Sequence, residues 1–84
     1  MTSWSILGHT AKVLEERRDD YGDAADQFSA IAARWSITLG ISVTPAQVAL
    51  CMIDLKLARL TYDPRHIDSV VDVIGYAALL REVA

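Results

Sequence analysis

The sequence predicts an all-α fold, a small four-helix bundle that occupies the whole chain, residues 1–84, as one domain. Three observations carry this. Apolar residues recur at three- and four-residue intervals along most of the chain, helix-capping and helix-stopping residues interrupt that pattern, and no segment alternates polar and apolar residues as a half-buried strand would. The nearest approach to a strand is the short β-permissive stretch 37–43.

The first helix is predicted from about Ser3 to Arg18, with Trp4, Leu7, Ala11 and Leu14 on one stripe and Lys12, Glu15, Glu16 and Arg17 on the polar side. Residues 19–23 break the pattern. Gly22 is free to take a left-handed conformation and Asp23 is able to cap a second helix. From Ala24 the stripe resumes through Phe28, Ile31, Ala32, Trp35 and Leu39, and Gly40 supplies the C-terminal stop.

Thr44-Pro45-Ala46-Gln47 is the strongest local signal. It offers a capping threonine, a proline at the first helical position and a glutamine placed to reach back to the cap. The third helix that starts there carries two apolar faces, Val48/Cys51/Leu55/Ala58 and Leu50/Ile53/Leu57/Leu60. They are separated by a Gln47/Asp54/Thr61 strip and a Met52/Lys56/Arg59 strip, so this helix is expected to lie between neighbours. Asp63-Pro64 repeats the cap-then-proline device and is expected to launch the fourth helix, antiparallel to the third. On that last helix Asp68, Asp72, Gly75, Tyr76 and Leu79 share a stripe, with Ser69 at its edge and about half the circumference apolar.

Hydrophobic residues make up 52% of a chain too short to bury them all, which predicts a core completed in a homodimer or larger assembly. The net charge of −3 and the lack of any Lys/Arg run argue against nucleic acid as a partner. No eighteen-residue apolar run and no leader-like N-terminus are present, so neither membrane insertion nor secretion is indicated and the cytoplasm is the expected location. Cys51, alone of its kind and on an apolar stripe, reads as a small core residue, and Trp4 and Trp35 read as core or interface. His9 and His66 have no companion at metal-ligand spacing.

Chemistry concentrates in the last third. Asp68 and Asp72, one turn apart at the border of a core, repel each other and call for an offsetting cation. Two readings meet that need. In one the pair holds Mg²⁺, whose hard shell takes one or two carboxylates. In the other it pairs with Lys56, Arg59 or Arg65. Lys56 and Arg59, about 60° apart on their helix, suit a carboxylate or a phosphate. Glu15, Glu16 and Asp19 form a second acidic cluster, interleaved with Arg17 and Arg18, of the mixed-charge kind that more often is a solvated helix face. Tyr21 and Gly22 could shape a turn over a pocket, although a buried tyrosine with a satisfied hydroxyl is the commoner outcome.

The strings Glu16-Arg17 through Tyr21-Gly22, Phe28, Ile31-Ala32, Trp35, Thr44-Pro45, Val48, Leu55 through Arg59, Asp68-Ser69, Asp72 and Gly75-Tyr76 resemble small proteins common in bacteriophage genomes. Through their last two helices these resemble in turn the all-α nucleoside triphosphate pyrophosphatases, the MazG-like superfamily. Members carry E-x-x-E on one helix and E-x-x-D on the next, and the acids bind Mg²⁺. Here Asp72-Val73 matches the aspartate of the second motif, Ser69 stands where its glutamate would be, and the first motif is missing from the third helix.

The resemblance implies a nucleotide-binding protein, and, if it is an enzyme, a Mg²⁺-dependent hydrolase that splits a nucleoside triphosphate into monophosphate and pyrophosphate. Asp68 and Asp72, with Glu15 and Glu16, would hold the metal, and Lys56 and Arg59 the phosphate. The alternative is a non-catalytic oligomeric helical protein that binds a host or phage protein and uses the same charges as internal ion pairs.

Overall fold

The computed structural model describes residues 1–84 as four helices and no strands: α1 Ser3–Tyr21, α2 Ala24–Leu39, α3 Pro45–Tyr62 and α4 Ile67–Val83. Local chemistry sets most of the ends. Thr2 and Ser5 form a capping box at the start of α1, and Thr44 and Gln47 form another at the start of α3, with Pro45 at the first helical position. Gly40 closes α2 in the left-handed conformation, φ 70° and ψ 22°.

Two boundaries differ from expectation. α1 runs on through Asp19, Asp20 and Tyr21 and stops at Gly22, whose φ of 84° with ψ of −167° is glycine territory. α4 starts later than Asp63-Pro64 suggests. Asp63 is instead the C-terminal cap of α3, and its side chain accepts a hydrogen bond from the Arg65 amide at 3.1 Å, closing a turn over Pro64. The cap of α4 is His66, whose ring Nδ1 accepts from the Ser69 amide at 3.3 Å.

The core lies among α2, α3 and α4. Phe28, Ala32, Val48 and Ala49 are its buried centre, with Ile31, Trp35, Met52, Tyr76 and Leu79 packed around them. In the α2–α3 connection, Ser36 Oγ donates to the Ala32 carbonyl at 2.7 Å and accepts from the Val43 amide at 2.9 Å, which occupies the β-permissive stretch with a side-chain tie. α3 turns its Ala49/Met52/Lys56 arc inward and leaves Leu50, Cys51, Leu55 and Leu57 exposed. Of the two faces expected to be buried, Val48 is covered fully and Ile53 and Leu60 in part, while Met52 and Lys56 of the strip between them turn inward and Arg59 stays exposed, because α2 and α4 together cover one side of α3. Cys51 is accordingly a surface thiol.

α4 also carries α1 on its other side. Thr10 and Leu14 close on Gly75 while Arg17, two turns beyond Thr10, reaches Asp72, so the two helices run in opposite senses. The docking arc of α1 is Ile6/Thr10/Val13/Arg17 rather than the more apolar Trp4/Leu7/Ala11 stripe, and Trp4 stays 82% exposed. Thr10 tolerates burial because its hydroxyl donates to the Ile6 carbonyl at 2.7 Å. α1 and α2 barely touch each other. The molecule is correspondingly flat, 41 × 30 × 19 Å, and a cleft remains between these two helices.

Candidate functional site

Asp72 lies at the meeting of three helices. Its stripe on α4 faces inward, so its side chain is only 9% exposed, and both carboxylate oxygens are taken by cations from neighbouring helices. Arg17 of α1 donates to Oδ1 at 2.7 Å, and Lys56 of α3 stands 2.9 Å from Oδ2. Burial by itself pushes the Asp72 carboxyl up, but the hydrogen bonds and charges of Lys56 and Arg17 more than offset this and hold it below the ordinary aspartate value. The carboxylate is thus kept ionised and fully engaged.

The other residues singled out in the sequence do not join it. Asp68 is one turn away on α4 but points outward and is exposed, and Glu15 and Glu16 are exposed on α1. Nowhere do three acids, histidines or cysteines converge as a cation cage. Within one chain this arrangement does not fit a Mg²⁺ shell, since the one buried acid already has two cationic partners. Of the two readings of Asp72, ion pairing to Lys56 is the arrangement present. Arg59 is exposed and lies instead at a shallow depression of about 620 Å³ with Ala58, Tyr62, Asp63 and His66. Tyr21 is 66% exposed, at the rim of the larger cleft rather than in the core.

That cleft, about 710 Å³, opens between the C-terminal half of α1 and the N-terminal half of α2, with α3 and α4 forming its floor. Its cationic wall is Arg17 and Arg18. Its apolar wall includes Phe28, Ile31, Met52 and Tyr76, and Phe28 and Tyr76 pair with ring centroids 6.2 Å apart. Glu15, Asp23 and Glu82 complete the rim. The volume is within the usual range for small-molecule sites, and a mostly apolar wall with a few placed charges is their usual chemistry.

Arg17 belongs to both places. One nitrogen is fixed on Asp72, and the side chain, 41% exposed, also lines the cleft. Hydropathy alone places it within a mixed-charge face. A signal exists in the sequence, because Arg17 continues the Thr10/Val13 arc at helical spacing, where a solvated arginine would break the line of inward residues.

The fold and site define a flat four-helix domain in which two cations clasp a buried carboxylate beside an open cleft. The chain belongs to the family described as Domain of unknown function (DUF6378), which matches residues 5–84. It is similar to the Gene 55 protein of Mycobacterium phage L5, 40% identical over 81 residues that make up 94% of this chain and 52% of that protein. It is also similar to the Gene 55 protein of Mycobacterium phage D29, 33% identical over 82 residues, 96% of this chain and 54% of that protein. The chain therefore spans about half the length of the curated relatives it matches, and the likeness to phage proteins stands. No solved structure matches. No helix is long and apolar enough to cross a membrane.

Proposed function

We propose that this domain is of MazG-like descent and binds a phosphate-bearing compound of nucleotide size in the cleft between α1 and α2, in the cytoplasm of the phage's host. The observation that carries this reading is the double placement of Arg17, held on Asp72 and lining the cleft. A guanidinium fixed in advance loses less freedom when a phosphate arrives. Arg18 adds a second charge, and Tyr76, backed by the buried Phe28 and flanked by Ile31 and Met52, offers a base an apolar and aromatic surface.

The reading is one of binding without a metal. On α3, Lys56 and Arg59 repeat the three-residue spacing of the superfamily's acidic pair with the charge reversed. Lys56 places a fixed cation against Asp72, the acid that the resemblance would assign to Mg²⁺. Positive charge that the pyrophosphatases take from a bound ion is here part of the chain.

The test is calorimetric titration with a panel of ribo- and deoxyribonucleotides and inorganic pyrophosphate, with and without Mg²⁺, beside release of pyrophosphate. Saturable binding that needs no metal and is lost in Arg18→Ala supports the proposal. Metal-dependent pyrophosphate release abolished by Asp72→Asn would replace it with the hydrolase reading. Silence across the panel would favour the non-catalytic interaction protein, a reading supported by exposed Ile37, Ile41, Leu50 and Leu57 away from the cleft.

A further inference from the structure

α1 presents three arcs to its surroundings. Ser5, His9, Lys12 and Glu16 form a polar arc toward water, and Ile6, Thr10, Val13 and Arg17 face α4. The third arc carries Trp4, Leu7, Ala11, Leu14, Arg18 and Tyr21, spaced alternately three and four residues apart like the seam of a paired helix. Nothing in the chain covers its first half: Trp4 is 82% and Leu7 47% exposed, and Ala11 is exposed as well.

We infer that this seam pairs with the same seam of a second copy, the two α1 helices running antiparallel about a twofold axis at Ala11. The order of side chains is complementary to itself in that register. Trp4 of one copy meets Arg18 of the other at the edge of the cleft, a cation over an indole face, and Leu7 meets the outer side of the half-buried Leu14, whose inner end rests on Gly75. Ala11 meets itself at the crossing point, where a small side chain lets the helices approach. Area argues for such a partner too. The surface of 5942 Å² exceeds by about 1,000 Å² the roughly 4,900 Å² expected of a compact monomer of 9.2 kDa. That excess is close to the ~800 Å² that a standard interface takes from each partner.

The experiment is sedimentation velocity on the full chain from about 1 to 100 μM, with circular dichroism to check folding. A mass twice the chain's own is expected. Leu7→Asp, already half exposed in the fold, should keep its helicity and weaken association by about tenfold or more, while Leu50→Asp on α3 should leave association unchanged. The axis is tested separately in a Cys51→Ser background. Ala11→Cys should oxidise to a disulfide-linked dimer and His9→Cys, on the polar arc, should not. A monomer at every concentration would give the seam to some other protein, and a dimer broken by Leu50→Asp but not by Leu7→Asp would give the interface to another face; either result overturns the proposal, as does equal cross-linking at positions 9 and 11.

Discussion

Lys56 and Asp72 meet across the α3–α4 interface at 2.9 Å, and with 14% of its side chain exposed the lysine is the more deeply held of the two cations on this carboxylate. Arg17, on the other oxygen, is 41% exposed. Breaking a buried pair from one side is costly because the remaining charge keeps its desolvation without its partner, whereas an exposed partner contributes little. Removing the acid strands both cations. The expected order of destabilisation in urea unfolding is therefore Asp72→Ala, at about 3–5 kcal/mol, then Lys56→Met, then Arg17→Met at about 1 kcal/mol or less. An Arg17→Met cost equal to that of Asp72→Ala would mean that the arginine, not the lysine, anchors the site.

Acid should unfold the domain partly through this residue. The folded Asp72 carboxyl is held below its ordinary value, so between the folded and unfolded values the unfolded chain binds more protons. Stability from Asp72 is fully present above the ordinary aspartate value of about 3.9 and is lost as pH falls through the lowered folded value. Denaturant midpoints measured downward from neutrality should stay level to about pH 5 and then decline. Asp72→Asn should be less stable at neutrality and should decline less steeply, since its amide has no proton to take up; an unchanged acid slope would assign the decline to other carboxylates.

The capping box of α3 gives a smaller and sharply local prediction. Thr44 Oγ1 accepts from the Gln47 amide at 3.1 Å while Gln47 Oε1 accepts from the Thr44 amide at 2.9 Å, all at the surface. Thr44→Ala should cost about 1 kcal/mol, and Thr44→Ser close to nothing, because the acceptor is kept. Equal losses in the two variants would show that the threonine methyl, rather than its oxygen, matters.

Such local chemistry marks what the sequence can disclose. The start of α3 and the stop of α2 depend on residues within a few positions of the boundary, so Thr44, Pro45, Gln47 and Gly40 announce them. The start of α4 is not legible in the same way, because Asp63-Pro64 fits two roles equally. Only the spatial ending of α3 decides that Asp63 closes one helix and His66 opens the next. Faces are harder than ends. Hydropathy marks Trp4, Leu7 and Ala11, with Leu14, as the inward stripe of α1 and Cys51 and Leu55 as inward on α3, and of these only Leu14 is even half-buried. The choice of face, however, is made by what the partner helix offers, a glycine and a carboxylate on α4. Arg17 is only half legible for the same reason: its spacing places it on the Thr10/Val13 arc, but its partner is 55 residues away, and nothing local says that this arc is the one that docks.

Gly75 is where that choice can be reversed. A Cβ built there would meet Leu14 Cδ2 at 3.4 Å and Thr10 Cγ2 at 3.9 Å, which is ordinary contact with the movable end of a side chain. Gly75→Ala should therefore keep the packing and gain helix propensity, raising stability by about 0.5–1 kcal/mol. Gly75→Leu has no such room and must push α1 off α4. Because Arg17 reaches Asp72 only while α1 is seated, the larger side chain should loosen the arginine and leave the Lys56 contact on α3 in place. The two consequences are separable. If Arg17 serves only to hold α1, Gly75→Leu lowers the unfolding midpoint and changes nothing else that ligand titration would register. If Arg17 is also the cation of the cleft, affinity for a phosphate-bearing ligand falls in the fraction of protein that remains folded, and Gly75→Ala, with α1 still seated, binds as the parent does.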